Sequence, residues 1–341
     1  MNKRRTYSGD TGFTVVELMI AMVISSVVLA VVFMTFKSQH DSYLVQDQVT
    51  VTQQNLRSAM DMLKRDIQMA GYYTNYDRFK FTMDWDDLDN DANEATGTEN
   101  VRPLIRAGNN VNDGNGGDNI LDNTDIIVIA KADPDLSYVL QAGDSGGGTS
   151  LSLGVYNGAG GYDLDADGVT DLSDTVNRFG ILVKQDLGAA ELFEITSSAA
   201  NPAVITSLIE NYSENDIVLP VDVIIYKLND NHTLVRRNLR DNTGYQDIAE
   251  NIEDLQFQYE DENGNIVDDP ATFTNGEADI RAVHVFLLAR TDRESPDYVD
   301  NKTYVIGDVI STPASRRGNN ISNNFRRKVL ASVIKTRNIG L

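Results

Sequence analysis

Five aspartates stand close together near the middle of the chain, at a spacing typical of calcium-binding loops. Counted from the first aspartate, they occupy positions one, three, five, nine and twelve, with glycine at position six and valine at position seven. These residues are Asp163, Asp165, Asp167, Asp171, Asp174, Gly168 and Val169. Ca²⁺ takes about 6–8 oxygen ligands, and alternate residues of a tight loop can converge on one point. The pattern predicts a calcium site in which Val169 contributes its backbone carbonyl and Asp171 binds directly or through water.

Two details favour a structural calcium loop over a paired EF-hand sensor. Position twelve is Asp174 rather than the longer glutamate, and the preceding GVYNGAGGY does not have the pattern of an amphipathic helix. The alternative is a solvated acidic turn without a metal. Because close carboxylates repel one another when no cation is present, calcium is the preferred interpretation.

Three other polar stretches resemble metal loops less closely. Residues 87–91 begin with calcium-type spacing, but Ala92 stands where glycine is needed. Residues 110–118 are a second weak candidate, and a solvated loop is the alternative for both stretches. Residues 261–265, with the sequence DENGN, are better explained as the turn of a β-hairpin.

A second group of chemically distinctive residues lies at the N-terminus. Gly12 and Phe13 precede an apolar run in which Glu17 is the only charge, and residues 18–36 contain no ionisable side chain. As a helix, that uncharged run would rise about 28 Å, which is close to the hydrocarbon thickness of a bilayer. Residues 3–5 are basic, which favours a cytoplasmic N-terminus and an exported remainder. The sequence therefore predicts one membrane-spanning helix.

A cleavable signal peptide is the first alternative for this run. The hydrophobic core of a signal peptide is usually about 7–15 residues long and ends in small residues at the cleavage site. Here the apolar run is longer, no Ala-x-Ala pattern follows it, and the small residue Gly12 lies before it. These features favour an anchor that stays in the membrane.

Glu17 needs an explanation, because a carboxylate deep in a bilayer costs at least about 2.5–3.5 kcal/mol. If the chain were cut after Gly12, the new amine of Phe13 would lie four residues before Glu17. The amine of one subunit could then pair with Glu17 of a neighbouring subunit, which would remove two unpaired charges from lipid.

The segment GFTVVELMIAM resembles the N-terminus of the type IV prepilin family, which includes the type II secretion pseudopilins. The resemblance implies that a membrane aspartyl peptidase cuts after Gly12 and methylates the amine of Phe13. It also implies that Glu17, the fifth residue of the cut chain, guides subunit assembly.

Further segments resemble the PilW group of minor pilins and the related GspJ pseudopilins. They are RDIQMAGYY, TDIIVIA, IEDLQFQYEDENGN, RAVHVFLLAR and FRRKVLASVIKTRN. Apart from TDIIVIA, residues 84–180 match no motif of the family. The resemblance implies a minor pilin that primes pilus assembly with other minor and major pilins, with the filament tip as its location. A type II secretion pseudopilin and a tip adhesin that uses residues 84–180 are the alternatives.

The elements that position these residues follow from periodicity. Residues 13–70 contain no glycine or proline and place Leu56, Met60 and Leu63 on one helical face, with Gly71 as the stop. Polar loops are predicted over 74–121. Strands are predicted over 124–130, 138–140, 180–184, 192–196, 221–228, 232–237, 252–259, 266–268, 282–290 and 328–336. The expected class is α+β, type IV pilin-like, with a long N-terminal helix packed on an antiparallel β-sheet head.

These elements divide the chain into a leader at 1–12, a helix at 13–70 whose part 13–36 is transmembrane, and a β-rich head at 71–341. The head carries an acidic, loop-rich insertion at about 84–180. The resemblance to the prepilin family implies as partners other minor and major pilins and the prepilin peptidase and N-methyltransferase, and the apolar helix implies inner-membrane lipid.

Composition limits the function further. The formal charge is −22, and because residues 1–12 carry a net +2, the remainder carries −24. Such acidity argues against nucleic acid as a partner. The chain has no cysteine, only three histidines and no common hydrolase or nucleotide-binding motif, so we expect no enzymatic activity.

Added Ca²⁺ should raise the melting temperature of the protein, because an ion that binds only the folded state stabilises it by mass action. Asp165→Ala combined with Asp167→Ala should abolish the rise, as measured by thermal unfolding with and without the ion. The matched control, Asp87→Ala with Asp89→Ala, should leave the rise intact. An unchanged response in the first variant would place the ion elsewhere.

Overall fold

The structure is a computed structural model, in which the chain divides into two compact units, Met1–Thr50 and Val51–Leu341. It describes residues 12–71, 105–111, 119–133, 138–140, 148–151, 155–156, 161–163, 172–173, 179–186, 190–197, 203–205, 208, 210–241, 244–274, 276–295, 297–312, 322–337 and 339.

Helix α1 spans Val15–Met69, and the long helix expected from the sequence is thereby confirmed. Gly71, two residues after the end of the helix, has a φ of 75°, which lies in the left-handed region that glycine adopts at little cost. The N–H of Gly71 donates to the carbonyl of Ala130, 3.1 Å away, and so carries the chain from the helix toward the sheet. The helix therefore has a defined stop.

The second half of α1 is amphipathic and belongs to the second unit. Its buried apolar side chains recur at helical spacing and pack into the main core; they are Leu56, Ala59, Met60, Leu63 and Ile67. Thr52 adds a polar contact, since its hydroxyl donates to the carbonyl of Arg290, 3.3 Å away. This half of the helix is thus an integral part of the head.

The strands of the second unit are short, apart from six that have eight residues or more. In chain order they are β1 Ile105–Val111, β2 Thr124–Ala132, β3 Tyr138–Val139, β4 Ser150–Leu151, β5 Val155–Tyr156, β6 Gly161–Asp163, β7 Leu172–Ser173, β8 Phe179–Val183, β9 Ala190–Ser197, β10 Ala203–Ile205, β11 Ile217–Leu228, β12 Leu234–Asn238, β13 Gln246–Ala249, β14 Ile252–Glu260, β15 Ile266–Val267, β16 Ala282–Arg290, β17 Tyr304–Ile306, β18 Val309–Ser311 and β19 Arg327–Lys335.

These strands form antiparallel sheets in the described part of the chain. The largest has the order β1-β2-β11-β8-β9-β10-β4, with β3 and β12 also paired to β11 and β13 paired to β12. A four-stranded sheet has the order β15-β14-β16-β19, and smaller sheets consist of β17-β18 and β5-β6-β7. The α+β class, with one long N-terminal helix on antiparallel sheets, is confirmed.

One main core joins α1 to both large sheets. It contains apolar side chains of the helix together with those of β2, β11, β14 and β16. β11 is almost fully buried along its 12 residues because strands flank it on both edges. Its run of β-branched residues suits such a central position.

The polar loop predicted over 74–121 is wrong at its C-terminal end. Residues Ile105–Val111 form β1, which pairs with β2 from Ile105 opposite Ile129 onward. The sequence did not predict this strand because its second half contains GNN. Asn110 there takes a φ of 48°, and the pairing register with β2 shifts. An irregular edge strand of this kind has no β-branched pattern.

The hairpin turn predicted at 261–265 is confirmed. Strands β14 and β15 flank it, and Oδ1 of Asp261 accepts the N–H groups of Asn263 and Asn265, each 2.8 Å away. Gly264 supplies a positive φ of 81°. The acidic and amide side chains here therefore stabilise the turn.

A buried carboxylate connects the two large sheets. Asp125 on β2 is 2% exposed, and its two oxygens accept the backbone N–H groups of Asn110 at 2.9 Å and of Phe257 on β14 at 2.7 Å. Burial raises the pKa of Asp125 to about 7, although the two backbone hydrogen bonds lower it. The negative charges of Asp308 and Asp268 raise it further. The junction is therefore sensitive to protonation.

Asp125→Asn should flatten the pH dependence of stability between about pH 4 and pH 8. Because the folded pKa lies above the unfolded value, the wild-type contribution is fully present below pH 4 and is lost as pH rises through about 7. The expected difference in slope is on the order of 1 kcal/mol per pH unit, measured by denaturant unfolding. The control is Asp122→Asn, at a nearby exposed aspartate, which should leave the pH dependence of stability unchanged. A parallel pH profile for Asp125→Asn and wild type would contradict this role.

Candidate functional site

The first candidate site is the N-terminal segment that contains the predicted cleavage point. Residues 12–14 have no regular secondary structure, and α1 begins at Val15. Phe13 is 89% exposed, and a side chain added at Gly12 would meet no other atom within 4 Å. The Gly12–Phe13 bond therefore lies in accessible, non-helical chain, which is the state in which a peptidase can bind a backbone.

Glu17 and Thr14 form a reciprocal cap at the start of α1. The N–H and the hydroxyl of Thr14 each donate to Oε2 of Glu17 at 2.9 Å, and the N–H of Glu17 donates back to Oγ1 of Thr14 at 3.3 Å. This is the geometry of a capping box. The cap directs the carboxylate of Glu17 toward the N-terminal end of its own helix, where the amine of a cut chain would lie.

The first unit exposes a long apolar surface. Every described residue from Gly12 to Leu44 is exposed, including Phe33 at 69% and Phe36 at 68%. α1 is the one helix in the described part of the chain that is long and apolar enough to cross a membrane. Burying one large apolar side chain gains about 1.5–3 kcal/mol, so this surface strongly favours lipid or other apolar helices over water.

The second candidate site is a buried charge cluster that holds the other half of α1 on the sheet. The carboxylate of Asp66 is inaccessible to solvent and accepts three side-chain donors from the head. They are the Tyr226 hydroxyl at 2.6 Å, Nε of Arg236 at 3.0 Å and Nζ of Lys131 at 3.1 Å. These partners come from β11, β12 and β2, so one carboxylate joins the helix to three adjacent strands.

The environment of Asp66 keeps it ionised. Burial alone would raise the pKa of Asp66, but the hydrogen bond from Tyr226 and the charges of Lys131 and Arg236 outweigh it and lower the pKa. The carboxylate of Asp222 lies 3.9 Å from Nζ of Lys131 and supplies a second negative charge beside the two cations that bind Asp66. This cluster is not predicted from the sequence, in which its only signal is an acidic residue next to Ile67 of the apolar helix face.

A second buried ion network fixes the C-terminal strand. The guanidinium of Arg327 on β19 is inaccessible to solvent and binds Glu253 on β14 through two hydrogen bonds of 2.6 and 2.9 Å. It also donates to Asp300 at 3.3 Å, which accepts the hydroxyl of Tyr304 at 2.8 Å. A bidentate arginine–carboxylate pair of this kind is directional and therefore sets the position of β19.

The predicted calcium ligands lie almost entirely outside the described residues. Only the backbone of Asp163, the last residue of β6, is described, and Asp165, Asp167, Val169, Asp171 and Asp174 are not. β6 and β7 pair so that Tyr162 lies opposite Leu172, which brings the two ends of the segment 163–171 together. Residues 87–91 also lie outside, as do residues 112–118 of the other weak candidate. The described residues contain no group of three or more side chains that could hold a metal ion.

Two regions of the chain match known protein-family models. Residues 225–338 match the family described as Type IV Pilus-assembly protein W, and residues 8–33 match the Prokaryotic N-terminal methylation motif. The first match covers β12–β19 and all of the Arg327 network, and the second covers Gly12, Phe13 and Glu17. The two matches confirm the resemblance drawn from the sequence.

Comparisons with whole proteins add little to these matches. No curated protein gives a significant sequence match to the chain. Among solved structures, a Type IV-like pilin from Thermus thermophilus is 12% identical, with 36% of this chain and 70% of that chain covered and a TM-score of 0.24. A likeness at that score carries no weight for fold or function.

Asp66→Asn should lower the free energy of unfolding at pH 7 by about 3–5 kcal/mol, because it leaves buried cations without their counter-charge. The lowered pKa of Asp66 means that its contribution is present above about pH 4 and is lost as pH falls further. Denaturant unfolding of the full chain in detergent should therefore show wild type and variant converging in acid.

Asp61→Asn on the exposed face of the same helix is the matched control, and it should change stability by less than about 0.5 kcal/mol. Equal stability of Asp66→Asn and wild type at pH 7 would show that the cluster does not hold the helix.

Proposed function

We propose that this chain, which combines a prepilin-type N-terminus with a PilW-type assembly region, is a minor pilin that helps to prime and assemble a type IV pilus. The observation that carries the proposal is the presence of both matched regions in one chain, at residues 8–33 and 225–338. The first supplies a processed helix that can polymerise, and the second supplies a head of the kind found in pilus assembly. Both descriptions concern assembly and N-terminal modification, which favours a structural role over catalysis.

In this proposal the chain is made as a precursor in the inner membrane. The basic residues 3–5 hold the N-terminus in the cytoplasm, and the acidic head lies in the periplasm. The prepilin peptidase cuts after Gly12 and methylates Phe13, and the exposed, non-helical backbone at residues 12–14 supports access to that bond. The mature chain then moves from the membrane into the filament.

Glu17 supplies the register for assembly. A methylated amine still carries a positive charge, so the N-terminus of one helix can pair with Glu17 of its neighbour in a medium of low dielectric constant. Such a pair removes two unsatisfied charges at once, whereas a shifted helix would leave both unpaired. The backbone N–H of Thr14, which donates to Oε2 of Glu17 at 2.9 Å, orients Glu17 until the neighbouring amine arrives.

We further propose that residues 163–174 bind a structural Ca²⁺ through Asp163, Asp165, Asp167, Asp171, Asp174 and the carbonyl of Val169. The pairing of β6 with β7 supports the proposal, because Tyr162 lies opposite Leu172 and the two ends of the segment between these strands are therefore close together. In an exported head without cysteine, an ion is an available means of ordering a long acidic segment.

A position at the filament tip is the finer part of the assembly proposal. Loss of pili on deletion of the gene would support priming, whereas normal pili that no longer bind a surface would favour a tip adhesin. Co-purification with secretion pseudopilins instead of pilins would favour the type II secretion alternative.

Glu17→Gln and Glu17→Val should both insert and be cleaved but enter pili poorly, with incorporation reduced about tenfold or more when it is measured by immunoblotting of sheared pili. The glutamine variant is informative because glutamine still completes the capping box while it removes the charge. A result in which only valine fails would assign Glu17 to helix capping alone.

Thr14→Val is the matched control, since it removes the hydroxyl of the cap and keeps the charge of Glu17. It should be cleaved and incorporated at close to the wild-type level. Normal incorporation of Glu17→Gln, or failure of Thr14→Val, would contradict the charge-pairing mechanism.

A further inference from the structure

β19 forms one edge of the four-stranded sheet in the head. It pairs with β16 along its whole length, from Ala282 opposite Lys335 to Arg290 opposite Arg327, and with no other strand in the part of the chain that the structure describes. At nine residues it is as long as β14 and β16. A long edge of this kind is a template for the addition of a further strand.

The alternation of hydrogen bonds between β19 and β16 shows which backbone groups of β19 face away from the sheet. The N–H of Thr336 donates to the carbonyl of Arg281 at 3.0 Å, and the N–H of Thr291 donates to the carbonyl of Arg326 at 2.9 Å. Hydrogen-bonded and non-hydrogen-bonded pairs alternate along an antiparallel ladder, so the even-numbered residues of β19 bond to β16. The residues whose N–H and C=O groups point away from β16 are Val329, Ala331, Val333 and Lys335.

The edge is held rigidly at its start. The buried ion pairs of Arg327 with Glu253 and Asp300 fix the first residue of β19. Arg326, the residue before it, lies over the ring of Tyr298 at 4.2 Å from the centroid. A pre-ordered edge loses little conformational entropy when a partner binds, which favours strand addition.

The edge is basic although the chain is strongly acidic. Residues 326–337 contain five basic side chains and no acidic one, in a chain of net charge −22. Arg327 is neutralised inside the head, whereas Lys328, Lys335 and Arg337 are exposed. Between the two lysines lie Ala331, which is exposed, and Val333, which is 54% exposed.

The basic side chains of β19 indicate which kind of strand can pair with its free edge. Two copies of β19 placed edge to edge would bring lysines together, and lysines on an edge strand are a common defence against such self-association. An extended segment with acidic residues would pair with the same lysines and could pack apolar side chains against Val333. Charge complementarity therefore favours an acidic strand of another protein over a second β19.

We propose that β19 accepts an extended acidic segment of another protein chain as an additional strand of the four-stranded sheet. The inference rests on the head alone and does not depend on the minor-pilin role. It can therefore fail while that role stands, and the reverse is also true.

The direct test uses the full chain in detergent micelles and a synthetic probe peptide of eight residues, with glutamate at both ends and alternating valine and threonine between them. The two glutamates are then seven positions apart, like Lys328 and Lys335. Residue-resolved hydrogen exchange should show slowing of about tenfold or more at the amides of Val329, Ala331, Val333 and Lys335 when the peptide is added. The alternate amides, already bonded to β16, should change little. A control peptide with lysine in place of glutamate should give no slowing.

Two sets of variants separate the backbone and charge contributions. Val333→Pro removes one outward N–H without touching the ladder to β16, and it should weaken peptide binding about tenfold or more, measured by fluorescence anisotropy. Val333→Thr keeps that N–H and should bind like wild type. Lys328→Glu with Lys335→Glu should reverse the preference, so that the lysine peptide binds and the glutamate peptide does not.

If Val333→Pro fails to fold, the variant Lys328→Glu with Lys335→Glu still tests the proposal through its reversed peptide preference. The proposal is overturned if the glutamate peptide leaves the four outward amides unprotected, if both peptides bind the wild type equally, or if the chain dimerises through β19.

Discussion

The exposed apolar surface of α1 constrains everything that this chain can do. From Phe13 to Leu44 the described helix presents its side chains outward, and no residue from Leu18 to Phe36 is charged. Water is a poor environment for such a surface, so the helix must lie in lipid or against other apolar helices. Within residues 13–36 a single carboxylate, Glu17, interrupts this surface near the N-terminal end of the helix. The apolar surface and its single charge support the proposal that the chain leaves the bilayer by joining similar helices.

The head meets a different requirement, which is to hold the second half of the same helix firmly. Apolar packing of Leu56, Leu63 and Ile67 supplies most of the contact, but apolar packing alone tolerates small shifts. Asp66 prevents such shifts, because moving the helix by one residue would leave a buried carboxylate and two cations unpaired. The Arg327 network does the same for the last strand. In a chain without cysteine, buried ion pairs thus define the positions of the helix and of the last strand.

The sequence was informative where a single physical rule dominates. An uninterrupted apolar and amphipathic run predicted α1, and β-branched runs predicted the long strands from β2 to β19. It failed at β1, whose GNN segment takes a positive φ at Asn110. It also missed β4–β7, β10, β13, β17 and β18, because two to four residues are too few to show a strand period. Asp66 and Asp125 could not be found from composition, since their importance comes from burial and from donors distant in sequence. The calcium loop has the clearest spacing of all, yet it stays a prediction.

The central claim is that the chain works only after it has lost residues 1–12 and joined other pilins. The most direct measurement is mass spectrometry of the N-terminal peptide of the protein isolated from cells, together with identification of the proteins that co-purify with it. The account predicts a chain that begins at a methylated Phe13 and is accompanied by other pilins. A mature protein that still begins at Met1, or that is isolated without any pilin partner, would contradict it.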